Sequence, residues 1–169
     1  ASGTRIGAQS VGHLIYISGP IFASLIGLKQ PKFVTGYSSP ELDVALEQGE
    51  IDGRSTVADS LLHEKPQWVD KGLMNFHGII EIPKGRKHTN SRFAELPDIE
   101  VFARSDMDRK VVALYRTFVG SGNPFMLPRA TAKDRVQVLQ EAMRKTYRDP
   151  EFFKEYTKLT GLKAEPQMP

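Results

Sequence analysis

Three short clusters of glycine and polar residues are the parts of this chain whose types and spacing could do chemistry. The first is Arg5-Ile6-Gly7-Ala8-Gln9-Ser10-Val11-Gly12-His13, which reads as a short strand, a glycine-bounded turn and the opening of an apolar helix. Glycine lets backbone N–H groups approach a ligand, and a helix N-terminus adds unpaired donors and a partial positive charge. The pattern therefore describes an anion-binding loop. Gly7 and Gly12 are spaced as in a nucleotide P-loop, but His13 and Leu14 stand where such a loop needs Lys and then Ser or Thr. A small carboxylate held by neutral donors at Ala8, Gln9, Ser10, Gly12 and His13 fits better. The plainer alternative is an ordinary strand-to-helix turn, with Gln9 and Ser10 solvated and His13 partnered by water.

The second cluster is Tyr37-Ser38-Ser39, which either closes a polar wall or caps the helix that follows it. The third is Arg54-Ser55-Thr56. Arg54 can form a bidentate pair with a ligand carboxylate, or it can serve as the ion-pair partner of nearby Asp52 and Asp59.

Catalytic constellations are not expected. The leading Gly7 lies one position too far from Ser10 for a nucleophile elbow, and His13, His63, His77 and His88 show no metal-ligand spacing. No metal or cofactor is implied. With no cysteine, the chain has neither disulfides nor thiolate sites, a composition compatible with any compartment, an oxidising one included. Lys and Arg number 23 against 20 Asp and Glu and are scattered along the chain, so nucleic acid is not an expected partner. The apolar stretch 14–28 is broken by Ser18, Gly19, Pro20 and Ser24 and is too short to span a membrane.

The elements that would position the clusters alternate between strand and helix. Residues 12–28 predict a buried helix kinked at Pro20, residues 32–37 a second strand, and Ser38-Ser39-Pro40-Glu41 a capped helix striped by Leu42, Ala45 and Leu46 until Gly49. Residues 51–54 predict a third strand and Ser55-Thr56 the start of another helix. Three successive βα units imply an α/β fold with a doubly wound parallel sheet. Ligands of such sheets sit at the carboxyl ends of the strands, where all three clusters fall.

Farther on, residues 73–82 predict a strand with a register break at Gly78. The run from Lys84 to Arg92, which includes Arg86, Lys87 and His88, reads as a solvated basic loop, with an interaction role as its alternative. Ser105 and Asp108 predict a capped helix through Val111, Leu114, Tyr115 and Phe118. A short strand at 123–127, a helix capped by Thr131 and a last helix striped by Phe152, Phe153 and Tyr156 complete the chain. Trp68 either packs in the core or lines a mouth.

In this order, the glycine turn at 7–13, Val34-Thr35-Gly36-Tyr37-Ser38-Ser39, Glu47-Gln48-Gly49-Glu50-Ile51-Asp52-Gly53-Arg54, Leu96-Pro97-Asp98-Ile99, Leu127-Pro128 and Asp149-Pro150-Glu151-Phe152 resemble the substrate-binding proteins of tripartite tricarboxylate transporters, the Bug receptors of proteobacteria. The resemblance implies a lobe of the periplasmic-binding-protein type II kind, a periplasmic location, a small carboxylate solute held mainly by backbone amides and hydroxyls, and a membrane permease as partner. It covers the second lobe and the C-terminal segment of that family, with residues 1–122 as the solute-binding α/β lobe and 123–169 as a return strand and helices for a missing first lobe or another partner. The chain thus reads as a fragment or a truncated receptor, and a homodimer is one remedy for its uncovered apolar faces. Ser55-Thr56 stands where many members carry an acidic residue, which bears on ligand preference. Two readings from other classes stay open: a small α/β enzyme acting on an anionic metabolite, and a sensing or interaction module that has lost transport.

Overall fold

The computed structural model describes residues 3–120, 122 and 125–160. In chain order the elements are β1 (Arg5–Gly7), α1 (Leu14–Ile26), β2 (Lys32–Val34), α2 (Ser39–Glu47), β3 (Gly53–Arg54), α3 (Ala58–Glu64), α4 (Pro66–Asp70), α5 (Ser91–Ala94), α6 (Asp106–Gly120), α7 (Lys133–Thr146) and α8 (Pro150–Thr160), with a 3₁₀ turn at Ile99–Phe102. They fall into two compact units, Ala1–Val57 with Gln67–Gly122, and Ala58–Pro66 with Asn123–Pro169. The fold is mixed α/β.

In the first unit a three-stranded sheet has the order β2-β1-β3, with both neighbours parallel to β1. Strand alternation turns Ile6 to one face and Gly7 to the other. On the Ile6 face lies α1, brought close because Gly19 has no side chain: a Cβ there would stand 3.2 Å from Ile6. Phe33 joins this layer and meets Tyr16 edge-on at 5.9 Å. On the Gly7 face lies α2, whose Leu42 and Ala45 form a core with Ile51. A Cβ on Gly7 would sit 2.4 Å from Ile51 Cδ1 and 2.7 Å from Leu42 Cδ2. Both neighbours are fully buried and have nowhere to move, so Gly7→Val is expected to cost about 2 kcal/mol or more in urea denaturation.

A second core, Leu25, Ile99 and Val112, joins α1 to α6 and the 3₁₀ turn. Predicted strand 73–82 is a correction: these residues are irregular and form only an isolated bridge, Ile79 to Asp98. The Asp98 carboxylate takes the Glu81 N–H at 2.9 Å, so a side chain replaces a neighbouring strand's carbonyl. Ser105 and Asp108 cap α6 reciprocally, at 2.9 and 3.1 Å, as their spacing predicts.

In the second unit α7 begins at Lys133 after Ala132, and Thr131 does not cap it; the Thr131 hydroxyl donates to the Pro128 carbonyl at 2.7 Å instead. The predicted strand 123–127 lies partly outside the described residues, and 125–127 are irregular. Asp149 caps α8 by accepting the Glu151 N–H at 2.9 Å. Phe152 stacks against Tyr147, Phe153 and Tyr156 at 5.4 to 5.7 Å, so the aromatic stripe packs on itself.

Candidate functional site

Because the three strands are parallel, the segments that follow them leave the same edge of the sheet. Two links join them there. The Gly36 N–H donates to the Gln9 carbonyl at 2.8 Å, tying the β2 loop to the β1 loop. Arg54, at the end of β3, donates to both the carbonyl and the hydroxyl of Ser39, at 3.0 and 3.3 Å.

The β1 loop is the part with free donors. Ala8 is not among them: it is buried, and its N–H completes the sheet by donating to the Val34 carbonyl at 2.9 Å. The N–H groups of Gln9, Ser10, Val11 and Gly12 have no partner among the described residues. A turn closes behind them where the His13 N–H donates to the Ser10 carbonyl at 3.1 Å. His13 caps α1 through Nδ1, which accepts the Ile15 N–H at 3.2 Å. An accepting Nδ1 places the neutral ring's proton on Nε2, on an exposed side chain. The first turn of α1 holds no acidic residue that would occupy or repel an anion. Gln9 Oε1 is buried and has no partner among the described residues.

Tyr37, Ser38 and Ser39 are placed by core packing and helix capping rather than in a polar wall. The Tyr37 ring packs on the Leu42, Ala45 and Ile51 core, and its hydroxyl donates to Glu50 at 3.4 Å. Ser38 is the N-cap of α2, and its N–H is taken by the Glu41 carboxylate at 2.6 Å. That bond holds the Glu41 carboxyl below its ordinary range.

Arg54 points inward. Its side chain is 5% exposed and pairs with Asp43 on α2, itself 6% exposed. The remaining donors reach the Ser55 carbonyl at 3.2 Å, the Thr56 hydroxyl at 3.3 Å and Ser39. All five guanidinium N–H groups are thereby spent on the protein. Asp52 is not its partner at this site: it binds the Arg5 N–H and guanidinium at 2.6 to 3.1 Å, at the opposite edge of the sheet. Those bonds hold the Asp52 carboxyl down at about 2.

Trp68 is buried, with Nε1 donating to Glu47 at 3.1 Å, and lines no mouth. The basic loop is tied down in part, since Lys84 pairs with Glu100 and Lys87 with Glu81, each at 2.6 Å. Sequence reasoning missed Asp43 as the partner of Arg54. The available signal was an aspartate on the same α2 face as Leu42 and Leu46, where a charge needs a counter-ion. Among the described residues no group of three or more His, Cys, Asp or Glu is placed to hold a metal, and no helix is long and apolar enough to cross a membrane. Compared with family models, curated proteins and solved structures, the chain matches none.

Proposed function

We propose that this chain is a small-carboxylate-binding lobe of a doubly wound, periplasmic-binding-protein type II kind, working in the periplasm as part of a solute receptor that serves a tripartite tricarboxylate-type permease, without catalysis of its own. The observation that carries the reading is the row of four unpartnered N–H groups at residues 9–12, directly ahead of α1 and at the carboxyl edge of a parallel sheet. Backbone donors and a helix N-terminus favour a negative group without supplying a counter-charge. The β2-β1-β3 order, with α1 and α2 on opposite faces, suits such a lobe, because ligands of open α/β sheets collect where the strand order reverses. In this reading Arg54 is a positioning residue that holds the β2 and β3 loops beside the donor row.

Gly12 supplies the test. Its φ is +88°, and a Cβ there would meet no atom, so a side chain is opposed by backbone conformation alone. Valine at that φ strains the turn and re-aims its N–H groups. A thermal-shift screen over mono-, di- and tricarboxylates is expected to find stabilisation of about 3 kcal/mol when the solute is at 100 times its Kd. Gly12→Val is expected to fold and lose that shift. If no carboxylate shifts the unaltered chain, the receptor reading gives way to the interaction-module alternative.

A further inference from the structure

We propose that the outer face of α6 is the seam of a two-fold dimer of this chain. Met107, Val111, Leu114 and Phe118 are each between 39% and 67% exposed. Spaced by four, three and four residues, they lie on one stripe of the helix, while Val112 is buried on another face. Stripes of this kind normally face a core. This one faces out.

The spacing suits a second copy of the same helix, because four-three-four reads the same from either end. A second α6 laid antiparallel across the first sets Met107 against the second copy's Phe118 and Val111 against the second copy's Leu114. All four positions are then used in one register. That is the self-complementarity an isologous contact requires.

The neighbouring helix widens the face. Tyr115 donates to the Leu14 carbonyl at 3.1 Å, and α1 and α6 line a recess of about 70 Å³ with Ile21, Ser24, Leu25, Asp108 and Val111. Leu14 and Ile17 are 45% and 38% exposed and extend the apolar surface along α1. Together the six exposed side chains offer roughly 500–600 Å², about what each side contributes to the smaller specific interfaces. The recess gives a side chain of the second copy a place to insert.

The proposal is independent of whether the β1 loop binds a carboxylate, and its readout is mass. Sedimentation velocity on the 169-residue chain, from about 1 to about 200 µM, is expected to show twice the single-chain mass at the upper end. Leu114→Glu is expected to raise the dimer Kd at least about 100-fold with an unchanged circular dichroism spectrum, and Val138→Glu on α7 is expected to leave it alone. The chain has no cysteine, which permits a second measurement that does not rely on a disruptive charge. Val111→Cys mixed with Leu114→Cys is expected to give a heterodimeric disulfide under mild oxidation. A single-chain mass throughout, a dimer that survives Leu114→Glu, or a dimer lost in Val138→Glu would overturn the seam.

Discussion

Asp43→Ala is expected to lower folding stability by about 3–5 kcal/mol, the usual consequence of leaving one member of a buried ion pair behind. The Arg54 and Asp43 side chains are almost fully enclosed, and Asp43 supplies the carboxylate bonded to Arg54 among the described residues of the first unit. Without Asp43 the guanidinium keeps only neutral acceptors at Ser39, Ser55 and Thr56, which do not balance a buried charge. The double change Asp43→Leu with Arg54→Met is expected to recover most of the loss, because replacing both members by apolar groups removes the desolvation cost as well as the attraction. Urea denaturation of the two single variants and the double variant measures the coupling. A cost below about 1 kcal/mol for Asp43→Ala would mean that the pair is solvated and that Arg54 is free to meet a solute.

The same pair shows where sequence and structure part. The β1 turn, the Ser38-Pro40-Glu41 start of α2 and the Ser105-Asp108 start of α6 were legible, because each is set by interactions within about four residues. Three parallel strands in succession were legible for a related reason, since a short strand followed by a capped helix leaves the chain few other packings. Arg54 was not. Its charge partner lies eleven residues back on a different element, while Asp52, two residues away, reaches across the sheet to Arg5. Local spacing assigns charges to neighbours, and the fold assigns them by burial. The wall expected of Tyr37 dissolved in the same way: its ring has more apolar surface to hide than its hydroxyl has hydrogen bonds to gain, so it joined the core. Residues 73–82 have the composition of a strand but no strand beside them among the described residues, and a carboxylate satisfies the Glu81 N–H instead.

Arg116→Ala tests a polar assembly of the first unit whose arginine no motif announced. Arg116 is on α6, four residues after the buried Val112, and its side chain is 10% exposed. It binds the carboxylates of Asp98 and Glu100 and donates to the Glu81 carbonyl at 3.0 Å, so that one guanidinium fastens α6 to the 3₁₀ turn and to the segment before the basic loop. Burial pushes the Asp98 carboxyl up, but the Arg116 guanidinium and the Glu81 and Glu100 N–H groups outweigh it and hold the carboxyl below its ordinary value. Lys84 first and Arg116 second do the same for Glu100. Removing Arg116 is expected to cost about 3 kcal/mol near neutral pH, the lower end for a broken buried pair because Lys84 still meets Glu100. The pH dependence distinguishes lost charge from lost packing. Carboxyls held down in the folded state stabilise it above their unfolded values, and that contribution disappears as pH falls through the folded ones. In the variant Asp98 is left ionised and half-stranded at neutral pH, and protonation relieves it. The stability gap between the unaltered chain and Arg116→Ala is therefore expected to hold from pH 7 to about pH 5 and to shrink from there to about pH 3. A gap of constant size across that range would assign the role of Arg116 to its hydrocarbon stem rather than to its charge.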